Sequence, residues 1–150
     1  MEIASAVASL SESYPATAES IPRARIALSA FAAEAGATSE QQEQVRLVVS
    51  EAVTNAVQHA YGERAGDVHV TAMVVSGELW ILVADDGVGL CAGSDSPGLG
   101  LGLAWMAQFS DGMTLVARSD GGVEVRLRFD LRGADAFGAR DSRSRIAGVC

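Results

Sequence analysis

A chain of 150 residues, 49% of them hydrophobic, is long enough to bury one core and too apolar for a disordered segment. Its net charge of −8 argues against a nucleic-acid surface, so an anionic ligand would have to be held by backbone donors, a helix N-terminus or a metal. The sequence holds no Lys, which excludes the lysine-bearing P-loop and Schiff-base chemistry.

Two cysteines, Cys91 and Cys150, make no disulfide framework. No signal-like start or apolar run of membrane-spanning length is visible, so a cytoplasmic location is expected. Along the chain, Leu10 to Tyr14 alternates loosely and predicts a short edge strand. Ile21, Ile26, Leu28 and Phe31 predict a helix from about Ala18 to Glu34, with Pro22 in its first turn and Gly36 past its end. Arg23 and Arg25 on that helix read as solvated charges.

The stretch from Thr38 to Tyr61, TSEQQEQVRLVVSEAVTNAVQHAY, organises the rest. Ser39 is placed to cap a helix, with Gln42 completing a capping box. Val45, Val48, Val49, Ala52, Val53, Ala56 and Val57 then recur as one broad apolar face. Glu51, Asn55 and His59 stand at i, i+4 and i+8, a line that drifts only about 40° per step. Polar groups beside a core-forming stripe are costly to bury unpartnered, so the line marks either a solvated face or a cavity. Gly62 is placed to stop the helix.

Asp67 to Val75 alternates as a strand, and Ser76-Gly77 makes a tight turn. Glu78 to Ala84 is apolar enough for a central strand covered on both faces. His69, among strand residues, reads as structural. The pattern then changes to DDGVGL, Asp85 to Leu90, where Gly87 and Gly89 let the backbone approach a ligand closely. Alone, that is an ordinary strand-ending turn. Leu90 to Pro97 is loop-like. Gly98, Leu99, Gly100, Leu101 and Gly102 run into a helix beginning near Leu103, and a glycine-rich loop opening a helix offers free N–H groups to a phosphate. The third glycine of a dinucleotide fingerprint would fall at Leu103, so that motif is not present. Met113 to Arg118 and Val123 to Leu131 predict a hairpin around Asp120-Gly121-Gly122. Residues 132–150 lack periodicity and read as a mobile tail after a single domain spanning residues 1–131. The order of elements predicts an α+β fold with a mainly antiparallel sheet and helices on one face.

Three motifs in this order resemble the GHKL (histidine-kinase-like) ATPase superfamily, and most nearly its bacterial anti-sigma-factor serine/threonine kinases. They are EAVTNAVQHAY from Glu51 to Tyr61, DDGVG from Asp85 to Gly89, and GLGLG from Gly98 to Gly102, within a resemblance running from about Ile21 to Phe129. The resemblance implies a two-layer α/β sandwich with a mixed, mainly antiparallel sheet. It implies ATP and Mg²⁺ as cofactors, with Asp85 accepting from the adenine amine and Asn55 ligating Mg²⁺. Gly87, Gly89 and the loop from Gly98 to Leu103 would then surround the nucleotide, and Glu51 would be the catalytic base. His59 would order the helix rather than do chemistry. The implied partners are a STAS-domain anti-sigma-factor antagonist, phosphorylated on serine, and a sigma factor; a homodimer is compatible with this.

Two positions depart from the family pattern. Gly122 is followed by Val123 where the family carries threonine, and the lid from Leu90 to Pro97 has no Arg or Lys. The second departure keeps another reading open, a non-catalytic ATP/ADP-binding module that switches partner binding. A detached histidine-kinase domain ranks below both.

Overall fold

The computed structural model describes residues 8–60, 66–87, 99–119, 121–132 and 145–146. In chain order the elements are β1 (Ser9–Pro15), α1 (Ser20–Glu34), α2 (Ser39–Asn55), β2 (Asp67–Val75), β3 (Glu78–Asp85), α3 (Leu99–Phe109), β4 (Gly112–Ala117), β5 (Val123–Asp130) and β6 (Arg145–Ile146). The strands form one sheet in the order β1-β2-β3-β5-β4-β6. Neighbours from β1 to β4 pair antiparallel, and β6 lies parallel to β4. This is the expected α+β sandwich. Of the segment expected as a tail, Arg145 and Ile146 lie in the sheet, and residues 133–144 and 147–150 fall outside the described residues.

Period-two alternation decides which side of the sheet is covered. Val68, Val70, Ala72, Leu79, Ile81, Met113, Leu115, Leu127 and Phe129 turn one way and are buried with Leu28 of α1, Val45, Val48, Val49 and Val53 of α2 and Met106 of α3. Helix α2 packs against both α1 and α3, which makes it the central element of the helical layer. Its apolar stripe needs both neighbours to leave water.

The other sheet face stays partly open, so β3 is not covered on both sides as its composition suggests. Its burial alternates, and Trp80 and Leu82 are only half-buried. They sit opposite Arg128 and Arg126 of β5, whose aliphatic stems can shield apolar neighbours while their charged ends reach Glu78 and Glu124. An apolar run in a strand therefore overstated the burial.

Local signals place the element ends. The cap of α2 is Thr38 rather than Ser39: its Oγ1 accepts from the Gln41 N–H at 3.1 Å, and Gln41 Oε1 accepts from the Thr38 N–H at 3.0 Å. The capping box is real but one residue earlier. Gly36, at φ +99°, lets the chain turn after α1. Between β2 and β3, Ser76 and Gly77 both have positive φ (52° and 78°), the signature of a type I′ hairpin turn. Gly62, expected as the stop of α2, lies outside the described residues.

Candidate functional site

The polar edge of α2 meets the start of α3. Glu51 and Asn55 are both half-buried on the last turn of α2. Gly102 lies directly against them: a Cβ added there would stand 3.0 Å from Glu51 Oε2 and 3.4 and 3.5 Å from the Asn55 amide atoms. A side chain at 102 would crowd Glu51 and touch Asn55. The missing Cβ is what lets the glycine motif and the asparagine motif share one place.

The glycine-rich segment differs from expectation in one respect. Helix α3 begins at Leu99, so Gly100, Leu101 and Gly102 form its first turns instead of a loop ahead of Leu103. Glycine is a poor helix former, by about 1 kcal/mol relative to alanine. Packing overrides that preference here: Met106 is fully buried, and Leu103, Ala107 and Phe109 pack against the core. The first turn of such a helix carries backbone N–H groups without intrahelical partners. Gly89 and Gly98 lie outside the described residues, as do the lid from Leu90 to Pro97 and the side chains of Leu99 and Leu101.

The line of Glu51, Asn55 and His59 is interrupted. Helix α2 ends at Asn55 and the chain continues as a π-helical turn over Ala56–Ala60. The wider turn adds about 0.8 residue per revolution, so the backbone after Asn55 departs from the α-helical i+4 spacing. The side chain of His59 lies outside the described residues. The π turn packs against β3, which ties this end of α2 to the strand carrying Asp85. Single insertions of this kind occur often at functional sites.

At the end of β3, Asp85 is 8% exposed. Burial pushes its carboxyl above the ordinary value of 3.8, opposed by backbone N–H donors from Gly87 and Val123 and by the nearby Arg118. The Gly87 N–H donates to Oδ1 at 2.9 Å. Gly122 is more tightly constrained than Gly102: a Cβ there would fall 1.8 Å from the Asp85 carbonyl oxygen. Thus β5 can bring its Val123 amide to the carboxylate only because residue 122 has no side chain. The valine lacks the hydroxyl of the family pattern but still contributes this N–H.

Sequence reasoning missed the groups behind Asp85. Arg118 Nη1 donates to the Asp85 carbonyl at 3.0 Å and to Asp86 Oδ1 at 2.7 Å. On the other side of Asp86, His69 Nε2 lies 3.2 Å from Oδ2, and His69 Nδ1 lies 2.7 Å from Ser13 Oγ. Isolated polar residues in or just past strands carry no local sign of such a chain, because strand register and the β4–β5 turn bring them together. Among the described residues no cluster of three or more His, Cys, Asp or Glu could hold a metal ion, so a cation here would depend on Asn55, phosphates and water.

The Histidine kinase-like ATPase domain family matches residues 14–129 of this chain. A protein named anti-sigma F factor from Clostridium acetobutylicum is 30% identical over 126 residues, covering 77% of this chain and 88% of that one. A protein named serine-protein kinase RsbW from Staphylococcus aureus is 39% identical over 75 residues, covering 49% of this chain and 47% of that one. The crystal structure of the RsbU and RsbW domains of Rv1364c from Mycobacterium tuberculosis matches with a TM-score of 0.65 at 24% identity. That match covers 81% of this chain and 32% of the other, and bears on the fold alone.

Proposed function

This chain belongs to the histidine kinase-like ATPase family, and from that premise we propose that it is an ATP-dependent protein serine/threonine kinase of the anti-sigma-factor type. The observation that carries the reading is the contact of Gly102 with both Glu51 and Asn55. It puts a carboxylate, a neutral amide oxygen and the N-terminal turns of a helix around one point.

Each group then has a role its chemistry suits. The buried Asp85 carboxylate only accepts hydrogen bonds, so it takes the exocyclic amine of adenine and rejects the carbonyl of guanine. Gly87, Gly89 and the segment from Gly98 to Leu103 surround the nucleotide, with free N–H groups of α3 receiving its phosphates. The amide oxygen of Asn55 would hold Mg²⁺, which would supply charge neutralisation on the phosphates when bound. Glu51 accepts the proton of a serine hydroxyl as its oxygen bonds to the γ-phosphorus, while the bond from that phosphorus to the β–γ bridging oxygen breaks and ADP leaves.

The substrate is a serine on a STAS-domain anti-sigma-factor antagonist, and the second partner is a sigma factor, both met in the cytoplasm. Phosphorylating the antagonist frees the kinase to hold the sigma factor. The test pairs calorimetric titration with ATP and GTP, with and without Mg²⁺, with a phosphotransfer assay on such an antagonist. Adenine-selective, Mg²⁺-dependent binding weakened in Asn55→Ala is the expected result, with transfer falling at least about a hundredfold in Glu51→Gln. Undiminished transfer in Glu51→Gln would sink the base assignment.

One observation favours a second reading. The lid from Leu90 to Pro97 has no Arg or Lys to offer the γ-phosphate. A non-catalytic ATP/ADP-binding module that switches partner binding needs none. Nucleotide binding without transfer by the wild type would assign the chain to that class.

A further inference from the structure

We infer that Arg118 is a positioning residue for base discrimination, acting on the nucleotide through Asp85; the inference rests on the proposed adenine site. The last ladder pair between β3 and β5 is Ala84 with Glu124, so Asp85 and Asp86 project beyond that ladder. A carboxylate at such a strand end selects a donor only if its direction is held. The Gly87 and Val123 N–H groups fix the Asp85 carboxylate itself, and Asp85 pairs with Val68 of β2. Arg118 holds the backbone of this strand end on its β5 side. One nitrogen of its guanidinium reaches both the Asp85 carbonyl at 3.0 Å and Asp86 Oδ1 at 2.7 Å.

The backbone of Arg118 is itself anchored to the segment that carries the second donor to Asp85. Its N–H donates to the Gly122 carbonyl at 2.7 Å, and its carbonyl accepts from the Gly121 N–H at 3.1 Å. Gly121, at φ +106°, makes that turn feasible. Arg118 therefore links the turn that presents the Val123 N–H to the strand end that presents the carboxylate. Asp86 extends the link to His69 and, through it, to Ser13 of β1. The bond from Arg118 to the Asp85 carbonyl is half-buried and so less screened, whereas its pair with the 47% exposed Asp86 side chain lies at the surface.

The consequence is specific to the base. The phosphates, held by α3, should not sense the loss of this link. The preference for adenine over guanine should. A general structural role would weaken both nucleotides together.

Titration calorimetry of the full chain with ADP and with GDP tests this in wild type, Arg118→Met, Arg118→Lys, Asp86→Asn and Asp85→Asn, each checked for a cooperative melt. Arg118→Met is expected to weaken ADP about tenfold, an effect on the order of one charge-assisted hydrogen bond, and GDP by less than about twofold. Arg118→Lys recovers part of the preference, and Asp86→Asn shifts it in the same direction as Arg118→Met. If Arg118→Met does not fold, Asp86→Asn carries the test. A wild-type ADP-to-GDP ratio in the folded Arg118 and Asp86 variants, with the ratio lost in Asp85→Asn, would overturn the inference and leave the base site standing. An unchanged ratio in Asp85→Asn as well would overturn the base-site reading and this inference with it.

Discussion

At the scale of single residues, the site is held by what is absent as much as by what is present. Gly122 leaves room where a Cβ would collide with the Asp85 carbonyl, and Gly102 leaves room where one would crowd Glu51 Oε2. Asp85 carries the clearest electrostatic consequence. Burial raises its folded-state value above 3.8, so between 3.8 and the raised value the native state holds more protons than the unfolded chain. Stability from this group therefore rises as pH falls through that window, while the proposed adenine binding, which would need the ionised carboxylate, should be lost over the same fall. Relative to Asp85→Asn, the wild type should gain melting temperature and lose ADP affinity as pH falls through that window. In Asp85→Asn the contribution of this group to both trends should disappear, because the amide does not titrate.

At the scale of elements, tertiary packing overrides local propensity at both ends of the site. Helix α3 winds through Gly100 and Gly102 because Met106 and its neighbours gain a buried face, and α2 opens into a π turn immediately after Asn55. The opposite end of α2 behaves as isolated helices do. Thr38 and Gln41 satisfy each other's backbone donors in a reciprocal box. Thr38→Ala should cost about 1 kcal/mol of stability in a denaturant titration while leaving nucleotide affinity within about twofold, since the cap is at the far end of the helix from Asn55. A larger change in affinity than in stability would show that the cap end and the site are coupled.

At the scale of the whole molecule, one sheet and one helical layer share a single core, with Gly102 of α3 against Glu51 and Asn55 of α2 and Gly122 before β5 against the end of β3. A ligand that binds this assembled arrangement and not the unfolded chain must raise its stability. ATP with Mg²⁺ at a hundredfold excess over its dissociation constant should add about 2.7 kcal/mol, read as a rise in melting temperature. GTP at the same concentration should add clearly less. Equal shifts from the two nucleotides would remove Asp85 from base selection.

The sequence by itself determined the alternation of the strands, the apolar stripe of α2, the edge position of β1 and the hairpins, because each is written in neighbouring residues as a period of two or about 3.6. It also singled out Glu51, Asn55 and Gly102, which the structure brings together, through motif order. Local signals were blind to whatever depends on residues far apart in the chain. The start of α3, the π turn after Asn55 and the half-open face of β3 were decided by packing across elements. The link from Ser13 through His69 and Asp86 to Arg118 exists only because strand register and the β4–β5 turn bring those residues together. No period along the chain encodes a hydrogen bond between side chains 17 or 32 residues apart.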